Sequence, residues 1–154
     1  MRPAVSPNVI RVVASLALPE RFAGPLISYA QNLITGLAPQ CIVLYGSLAK
    51  GTYTTGSDID LVVVAARLPG DFHDRLRELQ ELNNTGCPID AFAYTPEEFW
   101  DMLERGHVTA LDAAADGVPV YGGAYFRSLR KEFLSMVRRG LHRSSCSWVL
   151  PHSS

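Results

Sequence analysis

Two aspartates, Asp58 and Asp60, stand two residues apart at the head of the apolar run Leu61-Val62-Val63-Val64. On a strand, residues two apart point the same way, which sets their backbones ~7 Å apart on one face. Two carboxylates beside a buried strand repel each other and lose hydration unless protons or a cation neutralise them. Hard oxygen donors of this kind favour Mg²⁺ or Mn²⁺. The plainer alternative is that Asp58 only caps a turn after Ser57 and that Asp60 sits at an exposed strand end. Upstream, Gly46-Ser47 closes a second apolar run, Cys41-Ile42-Val43-Leu44-Tyr45, and ten residues separate Ser47 from Asp58. Glycine lets backbone approach a phosphate closely, and the amides that follow, with a helix N-terminus, make an anion site. Alone, the pair is more often an ordinary strand-to-helix turn. Carboxylates and a phosphate cradle on consecutive strands together point to a metal-bound nucleotide.

The elements that must hold these residues are readable from periodicity. From Glu20 to Leu37, Phe22, Leu26, Ile27, Ala30, Leu33, Ile34 and Leu37 recur every three or four residues, predicting a helix that Gly36 and Pro39 stop. Residues 41–45 and 58–64 predict buried strands, with a loop or short helix over 48–57. After Pro69-Gly70, Phe72, Leu76, Leu79 and Leu82 predict an amphipathic helix, and Pro88–Tyr94 predicts a third strand. Asp90 interrupts that strand with a charge, as a functional acid or as a strand-end acid facing solvent. Thr95-Pro96-Glu97-Glu98 supplies an N-cap, a proline at the first helical position and an acid three residues after the cap, starting a helix to about Arg105. A short helix over 108–116, an edge strand over 118–121 and a helix over 124–139 follow. In the last, Phe126, Leu129, Phe133, Met136 and Val137 form an apolar stripe opposite Arg127, Arg130, Lys131 and Arg138. Residues 9–18 fit either a short helix or a strand. The class is α/β (α+β), a small mixed β-sheet flanked by helices.

The chain has 154 residues, 47% of them hydrophobic and 19% charged, enough for one domain with a real core and incompatible with global disorder. That domain is expected over residues 1–143, with 144–154 a flexible tail that Trp148 could anchor. The net charge of -1 hides an asymmetry, because residues 123–154 carry six Lys/Arg against one acid. Arg127, Arg130, Arg138 and Arg139 are therefore either a solvated helix face or a surface for an acidic partner or, less favoured, a nucleic acid. Cys41, Cys87 and Cys146 make neither an even set nor a Cys-x-x-Cys pair, which gives a disulfide framework or zinc knuckle no support and suits a reducing cytoplasm. No run approaches the ~20 apolar residues of a membrane span. Arg11 interrupts the apolar run Val9–Leu18, so a secretory signal is not expected either.

The segments Leu44-Tyr45-Gly46-Ser47-Leu48-Ala49-Lys50-Gly51 and Gly56-Ser57-Asp58-Ile59-Asp60-Leu61 resemble the DNA polymerase beta-like nucleotidyltransferases, and most of all their minimal branch. A weaker likeness extends through Pro88–Phe99. The resemblance implies a nucleotidyltransferase fold in which Asp58, Asp60 and Asp90 are catalytic and hold Mg²⁺ or Mn²⁺. It implies that Gly46, Ser47, Lys50, Gly51 and Ser57 contact the nucleotide, with Lys50 standing where the common pattern has Arg, keeping the charge without the bidentate fork. It further implies transfer of a nucleoside monophosphate, AMP from ATP above all, to an acceptor hydroxyl. Several members of this branch resemble antitoxins that modify a small helical HEPN partner protein. Two other readings are a nucleotide-binding or partner-masking module with little turnover, and an enzyme that modifies nucleic-acid ends.

Overall fold

The structure, a computed structural model, describes residues 6–145 and 147–151. Cys146 and His152 lie outside the described residues. In chain order the elements are α1 (Pro7–Ser15), α2 (Glu20–Leu37), β1 (Cys41–Tyr45), α3 (Ser47–Lys50), β2 (Ile59–Val64), α4 (Phe72–Glu81), β3 (Ile89–Tyr94), α5 (Pro96–Glu104), α6 (Val108–Asp116), β4 (Val118–Tyr121), α7 (Gly123–Arg138), β5 (His142–Arg143) and β6 (Trp148–Val149). The ambiguous N-terminal stretch is thus helical, with Pro7 in its first turn, where a missing N–H costs nothing, and Val9 and Val13 buried.

Four strands form one mixed sheet in the order β3-β2-β1-β4. β1 runs antiparallel to both β2 and β4, whereas β2 and β3 are parallel, joined by the crossover through α4. Alternation along the strands divides the core in two. Ile42, Leu44, Ile59, Leu61 and Val63 face α1 and α2, meeting Val9, Val13, Leu26, Tyr29 and Leu33. Cys41, Val43, Val62 and Val64 face α5, α6 and α7, meeting Phe99, Leu103, Leu111, Phe126 and Phe133. With both faces covered, β2 reads as a continuous apolar run, and its register cannot slip without exposing one whole set. Among the described residues no helix is long and apolar enough to cross a membrane.

Three features depart from the periodicity reading. In α4, Arg75 is buried and Phe72 exposed. The Arg75 guanidinium donates to both carboxylate oxygens of Glu98, at 2.7 and 3.1 Å, and to the carbonyls of Pro69 and Ala93. Glu98 also completes the capping box of α5 with Thr95, so one ion pair ties α4, β3 and α5 together. In α7, Val137 is exposed and Arg130 turns inward, donating to the carbonyls of Ala114 and Gly117 and lying 4.6 Å over the Phe126 ring. Arg130 joins α7 to α6 and is not part of an outward basic face. Where composition predicts a tail from residue 144, β6 pairs with β5. Trp148 meets the Phe133 ring edge-on at 5.6 Å and donates to Asp112. One large aromatic group is enough to hold this hairpin where the serines around it contribute little apolar burial.

The Arg75 guanidinium, through its hydrogen bonds, holds the Glu98 carboxyl below its ordinary range. Its stabilisation is therefore present above the ordinary glutamate pKa and is lost as pH falls through the lowered folded value. Arg75→Leu should cost about 2 kcal/mol at pH 7, discounting a buried pair for the exposure of Glu98, or about 4–8 °C in Tm. Thermal melts across pH should show that gap narrowing in acid; a variant that melts like the parent at pH 7 would remove Arg75 from the account.

Candidate active site

The end of β1 and the start of β2 bring the motif together. In the antiparallel ladder Tyr45 stands opposite Asp60, so the turn after β1 begins beside the second aspartate. In the parallel ladder Asp60 stands opposite Asp90. Both share parity with Val62 and Val64, on the face covered by α5, α6 and α7. Asp60 is half-buried, while Asp58, just before the strand, and Asp90 are exposed.

Gly46 is required here on two counts. Its φ is +75°, in the region that side chains with a Cβ rarely adopt, and a Cβ at this position would lie 2.6 Å from Asp60 Oδ2. The backbone thus passes directly against the carboxylate and continues into α3, whose first turn has no side-chain cap. Asp60 consequently suffers burial first, then the charges of Asp90 and Asp58, and its pKa rises to about 6. Burial, with Asp60, Tyr94, Asp90 and Asp112 adding repulsion, lifts the Tyr45 hydroxyl to about 12.

The loop is closed on itself by its serines. Ser47 Oγ donates to Ser57 Oγ at 3.2 Å, and Ser57 Oγ also accepts from the Thr54 amide at 2.8 Å. Ser57 therefore stands as the strut of the loop, shaping it around Ser47. Gly51 has φ +75° with open space around it. Lys50 reaches α6, where its Nζ is 3.8 Å from Asp116 Oδ2.

Sequence reasoning missed the acids of α6. Asp112 and Asp116, four residues apart on an alanine-rich helix, share one side of it, and that spacing was the available signal. Asp112 accepts from Trp148 Nε1 at 2.9 Å and Asp116 accepts from Arg143 at 2.7 Å. Tyr45 was missed as well, although it directly precedes the glycine of the turn.

These residues fit a divalent cation by donor chemistry. Asp60 carries two like-charged neighbours, and a hard cation relieves the repulsion that three carboxylates create. Among the described residues no three His, Cys, Asp or Glu side chains converge closely enough to hold an ion unaided.

Residues 35–108, which contain β1 to α5 and every motif residue above, match the family model of the nucleotidyltransferase domain. That match supports a nucleotidyltransferase domain over residues 35–108, consistent with the DNA polymerase beta-like superfamily that the motif resembles. Among curated proteins none matches it. A crystal structure from Sulfolobus solfataricus, given as a candidate nucleotidyltransferase, is 16% identical over 74% of this chain and 86% of that one, with a TM-score of 0.43. A toxin-antitoxin crystal structure with AMP-PNP is 20% identical over 85% of each chain, with a TM-score of 0.46. Both likenesses are distant.

A raised carboxylate pKa has a definite sign. The protonated Asp60 stabilises the fold below its ordinary pKa near 3.8, and that contribution is lost as pH rises through about 6. Asp60→Asn should therefore melt like the parent at pH 4 and a few degrees above it at pH 7 in chelator. The difference corresponds to about 1 kcal/mol after discounting for solvent screening. Equal melting temperatures at both pH values would mean that Asp60 titrates normally and carries no strain.

Proposed function

We propose that this nucleotidyltransferase moves a nucleoside monophosphate, AMP from ATP in the first instance, to an acceptor hydroxyl in a magnesium-dependent reaction. The observation that carries the reading is the apposition of Asp60 with Asp90 across the parallel ladder, beside a turn whose glycine lies against Asp60. Asp58 and Asp60, with Asp90, would hold the divalent cation. Once bound, it neutralises triphosphate charge and eases departure of pyrophosphate.

The protein groups then have separate tasks. Ser47, braced by Ser57, and the backbone after Gly46 face the phosphates, and Lys50 adds a positive charge. Asp90, exposed at its strand end, is open to an incoming acceptor and takes the proton from its hydroxyl. The acceptor oxygen forms its bond to the α-phosphorus as the bond from that phosphorus to the α–β bridging oxygen breaks. The electron pair leaves with pyrophosphate, and the proton stays on Asp90 until solvent removes it.

For the acceptor we propose a hydroxyl on a partner protein. Support comes from the resemblance to the minimal branch with its HEPN partners. It also comes from the outward Arg127, Lys131 and Arg138 of α7, which suit an acidic surface. Nucleic acid ends are the second candidate, and a steep decline of affinity with salt would mark them.

Asp58→Asn and Asp60→Asn should each reduce transfer of label from α-³²P-ATP to protein in cell lysate by ~10²–10³-fold, the scale of losing a transition-state charge stabiliser. Near-normal transfer by either variant contradicts the assignment. Mg²⁺ with ATP should raise the Tm of the parent protein more than either alone, by mass action on the folded state. If the pair adds nothing beyond its members, the site does not bind a metal nucleotide.

A further inference from the structure

Two cations share one carboxylate oxygen on α6. Asp116 Oδ2 accepts from the Arg143 guanidinium at 2.7 Å, while Lys50 Nζ stands off from the same oxygen at 3.8 Å. The first is a charge-assisted hydrogen bond; the second is a loose ion pair outside hydrogen-bonding distance. Arg143 is itself held from three sides. Its backbone pairs with Trp148 across the hairpin, its guanidinium lies 4.4 Å over the Trp148 ring, and it also reaches Asp112 at 3.4 Å. Asp112 is in turn fixed by the Trp148 indole. Lys50, by contrast, is a flexible side chain at the end of α3 with 45% of its surface exposed. A cavity of about 180 Å³, lined by Lys50, Arg143, Asp112 and Trp148, leaves the ammonium room to move.

The hierarchy of these contacts decides where Lys50 can go. Among the described residues, the other cation paired with Asp116 besides Arg143 is Lys50. We propose that Arg143 is a positioning residue for phosphate binding: by occupying Asp116 it prevents that carboxylate from capturing Lys50 and leaves the ammonium available to the triphosphate. The C-terminal hairpin thereby acts on the phosphate loop without touching the nucleotide. This rests on the reading of the 46–51 loop as the phosphate cradle.

The test uses the full chain and magnesium tripolyphosphate, a probe with no base whose preference could intervene, with affinity measured by calorimetry. Arg143→Ala should weaken binding about threefold, the scale of an exposed ion-pair competition. Arg143→Lys should restore most of it. Asp116→Asn, which leaves the bond from Arg143 to Asp112 in place, should bind as tightly as the parent or more so. The double variant Arg143→Ala/Asp116→Asn should return to the parent affinity, because the competing carboxylate is gone. A double variant as weak as Arg143→Ala, or a weakened Asp116→Asn, would overturn the proposal, making Arg143 a direct phosphate ligand or a purely structural residue. Lys50→Ala separates this from the underlying reading. If it binds tripolyphosphate like the parent, the loop is no phosphate cradle and both fail. If it binds more weakly, and Arg143→Ala weakens it further, only the action through Lys50 fails.

Discussion

The in-register parallel pairing of β2 with β3 is the constraint from which the rest of this molecule follows. It sets Asp60 beside Asp90 at the strand starts, and Asp58 adds a third charge just ahead of them. No ladder would choose two carboxylates side by side, since like charges directly opposed destabilise a sheet. The repulsion is tolerated because the remaining pairs, Leu61 with Ala91 through Val64 with Tyr94, are fixed by burial on both faces. A one-residue slip would relieve the charges and expose the core. Strain is thereby concentrated at one strand end while the fold stays secure elsewhere.

The surrounding elements serve that apposition. The passage of Gly46 against Asp60 removes water from one side of the carboxylate, which is why burial leads the causes of its raised pKa. The Arg75–Glu98 pair pins α4 and α5 to β3 and so fixes the strand that carries Asp90. On the far side, α6 joins the motif to the C-terminal hairpin through Asp112 and Asp116. A segment remote in sequence thereby reaches the end of α3, beside the turn after β1.

Much of this is legible in the sequence, and the boundary between legible and hidden is physical. The spacing of Gly46-Ser47 and Asp58-Ile59-Asp60, the β-branched β2 and the capping box at Thr95 are local patterns, written within a few residues. The apolar periods of α2 and α7 located their cores, although in α7 Val137 sits at the margin and is exposed. Hidden were the partnerships between distant positions. Nothing near Arg75 announces that it is buried, since its partner Glu98 lies on another helix. Arg130 reads as surface charge until the carbonyls of Ala114 and Gly117 are brought to it. The hairpin at 142–149 depends on one tryptophan finding Phe133 and Asp112, which no window of the sequence contains.

We propose Asp60 as the strained carboxylate that a cation would relieve, and its own titration is the most direct witness. Carbon-detected magnetic resonance of the Asp60 carboxyl in chelator should give a pKa of about 6. Adding Mg²⁺ with tripolyphosphate should move it below the ordinary aspartate value, as a neighbouring cation favours the ionised form. An Asp60 that titrates at the ordinary value and ignores the added metal and polyphosphate would contradict the account.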